Sequence, residues 1–313
     1  MDIEYWIGFN IFVVIMLVLD LFVFHKHNHE VKVREALIFS GFWIGLALVF
    51  NAGVYYYMGE KAALEFFTGY LIEKSLSVDN LFVFLIIFSF FKVRKEYQHK
   101  VLFWGIFGAL VFRAIFIFAG IELVEQFSFV FYFLGALLIY AGVKLALEKE
   151  GDFEPGNSFT FKILNKVLPL LDDFRQDKFW VKENQKLHFT PLFVVLIMIE
   201  STDVVFAMDS IPAILAITQD KFIVYTSNIF AILGLRSLYF ALAGVMQLFH
   251  YLKYGLAVIL SFIGVKILIK DLYHIDTLWA LAFVALVLIA SIIFSIIKPK
   301  KEDELLHKLE EME

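Results

Sequence analysis

Long apolar runs separated by short polar connections dominate the chain. Nine of them, at residues 6–24, 37–57, 67–91, 101–121, 127–147, 191–216, 222–247, 253–271 and 276–297, are of the length at which a helix crosses a bilayer. A crossing needs about 20 residues for roughly 30 Å of hydrocarbon. The acidic stretch Glu122 to Gln126 separates the fourth run from the fifth, and Thr218, Gln219, Asp220 and Lys221 separate the sixth from the seventh. The pattern predicts an all-α polytopic membrane protein of about nine transmembrane helices, forming a single transmembrane domain over 1–313. The first run, from Trp6 to Phe24, lacks a basic leader and a small-residue cleavage site, so it reads as a retained helix. Residues 148–190 form the one long connection, read as a cytoplasmic loop. Its amphipathic stretch, Phe159 to Phe174, fits either a helix on the membrane surface or a cap packed on the bundle. Residues 298–313 read as a charged cytoplasmic tail.

Basic residues orient these runs, because Lys and Arg favour the cytoplasmic side. Twenty of them fall in one alternating set of connections and ends, including Lys92, Arg94, Lys95, Lys100 and Lys253. The opposite set holds only Lys61, Lys221, Lys266 and Lys270. The expectation is an N-terminus outside and a C-terminus in the cytoplasm.

Two segments of the chain resemble each other. Ser77-Val-Asp79-Asn-Leu-Phe-Val matches Ser201-Thr-Asp203-Val-Val-Phe-Ala at an offset of 124. Ile106-Phe-Gly-Ala-Leu-Val-Phe-Arg113 matches Ile229-Phe-Ala-Ile-Leu-Gly-Leu-Arg236 at 123, and Gly142-Val-Lys144 matches Gly264-Val-Lys266 at 122. Three matches in order, with Asp and Arg inside apolar runs, point to a repeat. The first copy is 67–147 (spans 3–5) and the second 191–271 (spans 6–8). A copy of three spans is odd in number, so the second sits inverted, a plan common in secondary transporters.

Composition agrees: 61% of the residues are hydrophobic and only 19% charged, too apolar for a soluble domain. No basic face suggests nucleic acid. No cysteine is present, so disulfides and thiolate ligands for soft metals are excluded. His25, His27 and His29 read as a metal tract or as ordinary interfacial side chains beside lysine.

The acids change the picture. Glu73 and Asp79 fall in span 3, Glu200, Asp203 and Asp209 in span 6, and Asp20 late in span 1. An ionised residue at mid-bilayer costs about 2.5–3.5 kcal/mol on insertion scales. These carboxylates must therefore share partners. Only Lys74, Arg113 and Arg236 are at hand as cations, leaving a net negative cluster that a bound metal cation would balance. At about 100° per residue, Glu200 shares a face with Asp203 and Glu73 with Asn80, while Asp79 and Asp209 point well away. One straight helix cannot aim them all. Either several helices surround each acid, or spans 3 and 6 break near the site, span 6 at Pro212.

Carboxylates with Asn80, Ser201 and backbone carbonyls are hard donors, suited to Mg, Ca or Mn. The thioether of Met208 would bias the site toward Mn if it faced the ion, and otherwise only packs. Crowded carboxylates in a low dielectric cannot all ionise, which allows proton exchange against the metal. Arg113 and Arg236 read either as gating and charge-balancing groups or as fixed salt bridges, and Asp20 as accessory. Asn51 reads as an interhelical hydrogen-bonding group.

At these same residues the chain resembles the TerC/Alx family of bacterial inner-membrane proteins, within the LysE-like transporter superfamily. The carrying motifs are Glu73-Lys-Ser-Leu-Ser-Val-Asp79-Asn-Leu-Phe-Val, Glu200-Ser-Thr-Asp203-Val-Val-Phe-Ala-Met-Asp209-Ser-Ile-Pro-Ala-Ile, and Ser227-Asn-Ile-Phe-Ala-Ile-Leu-Gly-Leu-Arg236. It is most similar to the Alx branch, which implies manganese export with Glu73, Asp79, Glu200, Asp203 and Asp209 handling the metal. The expected function is a Mn²⁺ exporter, non-enzymatic and without an organic cofactor, with proton coupling and Ca²⁺ as the nearest competing ion. Two other readings stand beside it. One is a metal-delivery or stress-response membrane partner protein. The other is an intramembrane aspartyl protease built on Asp79 and Asp203; it lacks the Gly-x-Gly-Asp signature and leaves the remaining acids unexplained.

Overall fold

Inside hydrocarbon every backbone N–H and C=O must bond within its own segment, so apolar runs of this length become helices. The computed structural model describes residues 3–22, 33–127, 129–147, 155–183, 186–243, 251–269, 272–273 and 275–297. The helices are α1 (Ile3–Phe22), α2 (Val33–Met58), α3 (Glu60–Phe90), α4 (Lys95–Gln126), α5 (Phe129–Leu147) and α6 (Phe159–Val167). After a hairpin of β1 (Trp180–Glu183) and β2 (Lys186–Phe189) come α7 (Pro191–Leu215), α8 (Lys221–Ile232), α9 (Leu235–Ala243), α10 (Leu252–Leu268) and α11 (Thr277–Ile297). Among the described residues, six segments are long and apolar enough to cross a membrane: α1, α2, α4, α7, α11 and the α8–α9 pair taken together. The His25, His27 and His29 tract and the 298–313 tail lie outside the described residues.

Burial orders these helices. Of the most apolar window in each segment, 94% is buried for α8–α9 but only 22% for α1, α2 and α11. The α8–α9 pair is thus the axis of the bundle. The outer helices show Ile7, Ile11, Val14, Leu286, Ile289 and Ile293 on their exposed faces, a surface suited to lipid. Against the axis pack α3, α4 and α2, and α7 packs on α3 and α4. An aromatic cluster joins α1 and α2 to it, with the Phe50 and Phe230 rings 4.7 Å apart.

Three local features depart from the sequence expectation. Span 6 is not broken: α7 runs unbroken through Pro212. Proline there lies in the last turn, where a single donor is lost just before the helix ends. Span 3 is likewise one continuous helix of 31 residues. The break falls in span 7, between α8 and α9, at Leu233 and Gly234. Gly234 has φ +81°, a conformation glycine adopts freely, and the indole of Trp43 from α2 lies on it. Finally, the 148–190 connection holds an antiparallel hairpin beside its helix, pairing Trp180 with Phe189. Thr190 fastens the hairpin to the start of α7, its Oγ1 donating to the Lys178 carbonyl at 2.7 Å.

The third helices of the two matched segments, α5 and α10, pack antiparallel through small residues. A Cβ on Gly142 would lie 2.6 Å from the Ala257 carbonyl and 2.5 Å from Ser261 Oγ. One on Gly264 would lie 2.6 Å from the Gly135 carbonyl and 2.8 Å from Ile139. Adding 122 to the α5 numbers turns one set of contacts into the other, so the interface reads alike from both ends.

The central break yields a test. A methyl group on Gly234 would meet Trp43 Cδ1 at 2.5 Å in a left-handed backbone conformation. Gly234→Ala is expected to cost about 2–4 kcal/mol, backbone and overpacking together. Thermal unfolding of the purified protein in detergent measures this, and an unchanged midpoint would refute the account.

A candidate cation site among α3, α4, α7 and α8

Glu73 on α3, Arg113 on α4 and Asp203 on α7 are at most 4% exposed. Arg113 lies between the two acids. Its Nη1 donates to Glu73 Oε1. Its Nε and Nη2 donate to the two oxygens of Asp203 at 3.2 and 3.0 Å, the paired geometry a guanidinium offers a carboxylate. Ser210, two helical turns beyond Asp203 on the same face of α7, receives Nη1 at 3.3 Å. From α8, Asn228 Nδ2 donates to the second Glu73 oxygen at 3.0 Å. One guanidinium therefore answers two carboxylates, and four helices meet at the junction.

Glycine lets α4 come this close to α7. A Cβ at Gly105 would lie 3.1 Å from Ile199, and one at Gly108 would overlap the Glu200 carboxyl group. Glu200 thus rests on bare α4 backbone, three residues from Asp203 on the same face of α7. Its Oε2 is buried, with no hydrogen-bond partner among the described residues.

Lys74, next to Glu73, works on the break. The end of α8 leaves backbone carbonyls without helical partners. Lys74 Nζ donates to those of Ala231 and Leu233 at 3.1 and 3.4 Å, a cation at a helix C-terminus. Arg236, the repeat counterpart of Arg113, is engaged elsewhere: its Nη2 donates to Asp20 Oδ2 at 2.6 Å, tying α9 to α1. Both residues are buried.

The sequence-predicted residues therefore divide. Glu73, Asp203 and Arg113 meet directly, with Glu200 alongside. Asp20 is held by Arg236, a different cation from the one at the junction. Asn80 is buried on α3. Ser201 spends its hydroxyl on the Met198 carbonyl of its own helix at 2.9 Å. Met208 does not join the site: it is 56% exposed on α7, so of its two readings the thioether bias has no geometric basis. Positions 79 and 209 lie within α3 and α7, but their side chains are outside the described residues. Among the described residues no three His, Asp or Glu side chains converge as a ready-made metal cage. Asn228, Ser210 and Gly108 were missed as site residues. The legible signal was Asn228, a polar amide inside an apolar run.

The junction offers hard oxygen donors, two carboxylates with a hydroxyl and an amide beside them, on which a guanidinium and a metal cation would compete.

A family model described as "Integral membrane protein TerC family" matches residues 58–303. The chain is 48% identical over 295 residues to "Uncharacterized membrane protein STKORF319" of Myxococcus xanthus, covering 94% of this chain and 92% of that protein. It is 49% identical over 279 residues to "Putative membrane-bound redox modulator Alx" of Salmonella typhi, covering 86% and 87%. The protein of the same name from Escherichia coli K12 is 46% identical over 299 residues, covering 93% of each. No solved structure matches the chain.

Removing one partner of a buried ion pair strands the others. Arg113→Met is expected to destabilise by about 3–5 kcal/mol. Adding Glu73→Gln and Asp203→Asn should recover most of that loss, because the stranded charges go too. Melting curves in detergent compare the two variants, and equal instability would mean that Arg113 acts through packing instead.

Proposed function

The chain belongs to the TerC family of integral membrane proteins, and on that premise we propose that it is a divalent metal cation transporter exporting Mn²⁺ from the cytoplasm. The observation that carries the reading is the buried junction itself: carboxylates from α3 and α7 on a single guanidinium, in the interior of a membrane bundle. Acids placed there without a matching number of cations mark an ion path. Glu73, Asp203 and Glu200 supply the described part of the site, with Asp79 and Asp209 on the same two helices as further ligands. Oxygen donors favour Mn²⁺, Ca²⁺ and Mg²⁺ over softer ions. Manganese as the cargo follows the resemblance to the Alx branch, and Ca²⁺/H⁺ exchange is the alternative with the same site. Arg113 gives up its carboxylates when the metal binds, and protons exchange against the metal because the crowded acids cannot all stay ionised.

The self-matching α5–α10 interface supports reading spans 3–5 and 6–8 as inverted repeats, with the site where α3 and α7 meet. The excess of Lys and Arg in one set of connections supports a bacterial inner-membrane protein with its N-terminus outside. Some relatives are named redox modulators. This chain has no cysteine, so a redox role here would not run through a thiol of its own. That name favours, as a second reading, a metal-delivery or stress-response partner in the membrane.

Purified protein in proteoliposomes decides between them. Uptake of Mn²⁺, Ca²⁺ and Mg²⁺ is followed with and without a pH gradient. Mn²⁺ flux that responds to the gradient, and falls at least about tenfold in Asp203→Asn, is the expected result. Flux no greater than in empty vesicles for every ion would leave the partner reading.

A further inference from the structure

A second polar space lies at one end of the bundle, where α3 begins and α7 and α10 end. It is a cavity of about 710 Å³ lined by Glu65, Thr218, Asp220, Lys266, Tyr273 and Thr277, among others. Glu65 and Lys266 are each 8% exposed. Among the described residues Lys266 makes no ion pair or hydrogen bond; the carboxylates of Asp276 and Glu65 act on it from a distance. A buried ammonium and a buried carboxylate facing one cavity are costly in a membrane protein and need a use.

The stripe on α3 shows where this space leads. Glu65, Gly69, Glu73 and Ser77 follow at intervals of four, so each neighbours the next on a stripe that winds about 40° per step around the helix. Glu65 is in the cavity and Glu73 in the arginine junction, about 12 Å further along the axis. Between them on α3 lies Gly69, in close contact with α7 and α8. A Cβ there would lie 2.7 Å from Ile214 Cδ1 and 3.1 Å from Ser227 Oγ. The tip of Ile214 from α7 fills the notch that the glycine leaves, and Ile214 is 1% exposed. Cδ1 ends a flexible side chain, so one rotamer change would withdraw it. Beyond the junction, Ser77 is fully buried and its hydroxyl has no hydrogen-bond partner among the described residues.

We propose that the cavity is an antechamber for a hydrated divalent cation, held by Glu65, and that Ile214 closing on Gly69 is the gate between it and the Glu73–Asp203 junction. The cation keeps most of its water there, since Glu65 is the carboxylate offered to it: Asp220, also in the lining, spends Oδ1 on the Phe222 and Ile223 amides, and hydroxyl groups lie around. Opposing charge comes from Lys61, whose Nζ lies 3.9 Å from Glu65 Oε1, and from the buried Lys266 across the cavity. The inference rests on the transport reading for its cargo, but its geometry can be tested without any transport. By the distribution of basic residues this end of the bundle faces away from the cytoplasm.

The chain has no cysteine, so single cysteines report alone. Thr218→Cys samples the chamber and Ser77→Cys the stripe beyond the gate, each in the full-length protein in proteoliposomes. A membrane-impermeant methanethiosulfonate applied from the chamber side should modify Thr218→Cys readily and Ser77→Cys at least tenfold more slowly. Adding Ile214→Ala should close that gap, while Ile214→Val, which keeps the bulk, should preserve it. Millimolar Mn²⁺ should slow labelling of Thr218→Cys severalfold, and Glu65→Gln should remove that protection. An inert Thr218→Cys, or Ser77→Cys labelled equally fast whether residue 214 is Ile or Ala, overturns the chamber and gate. Protection by inorganic phosphate in place of Mn²⁺ overturns the cation assignment. Mn²⁺ flux in the same vesicles reports on transport separately, so correct labelling without flux would reject the transport reading and keep the gate.

Discussion

The buried guanidinium of Arg113 is the interaction on which the arrangement depends. It draws Glu73 of α3 and Asp203 of α7 to a single point on α4, and Asn228 brings in α8. Burying three ionised groups among apolar helices is unfavourable unless they satisfy one another. They do so only at one relative placement of the helices. The junction therefore works as a register pin: sliding α3 or α7 by a turn would separate a charge from its partner. Gly105 and Gly108 are the steric half of the same constraint, because α4 could not approach Ile199 and Glu200 with side chains at those positions.

A second constraint meets the first at neighbouring residues. Glu73 is held at the junction, and Lys74 beside it caps the broken end of α8. One turn of α3 thus ties the charge cluster to the interrupted helix at the centre of the bundle. Gly234 permits the break and Trp43 packs over it, so α2 guards the same point from the other side. The Asp20–Arg236 pair then fixes α9 to α1 just past the break. Helix interruptions in membranes persist where side chains satisfy the freed backbone groups, and Lys74 provides that satisfaction here.

Much of this was legible in the sequence. The apolar runs mark the helices because the bilayer demands length and allows little else. The acids announce a site because nothing but shared partners or ligands justifies them in such runs. Glu73 and Asp203 meet across two helices, through Arg113. What periodicity could not show was which cation answers which acid. Arg113 and Arg236 sit at matching places in similar segments, yet one joins the junction and the other pairs with Asp20. Proline misled about the break because its effect depends on where the helix ends. Glycine at 234 marks the break, but one glycine among the many small residues of the spans does not single itself out by type. Met208 illustrates the same limit, since sequence proximity to the acids says nothing of which way a helix face turns.

The charge balance bears on what the junction can hold. Glu73 and Asp203 share one positive group, and Glu200 stands next to them with a buried, unbonded oxygen. Neither a rigid salt bridge nor a permanent metal cage needs that composition. A permanent pair would call for as many cations as acids, and a cage would present its carboxylates together without a guanidinium between them. On the proposed transport reading, two acids held by an arginine, with a third in reserve, form a site whose positive charge a metal cation would replace. Arg113 and a divalent cation make the same demand on the same oxygens, so each excludes the other. Filling the junction with metal then requires the helices pinned by Arg113 to loosen. In that way the interaction that fixes the helix register would also couple ion binding to movement of α3 against α7.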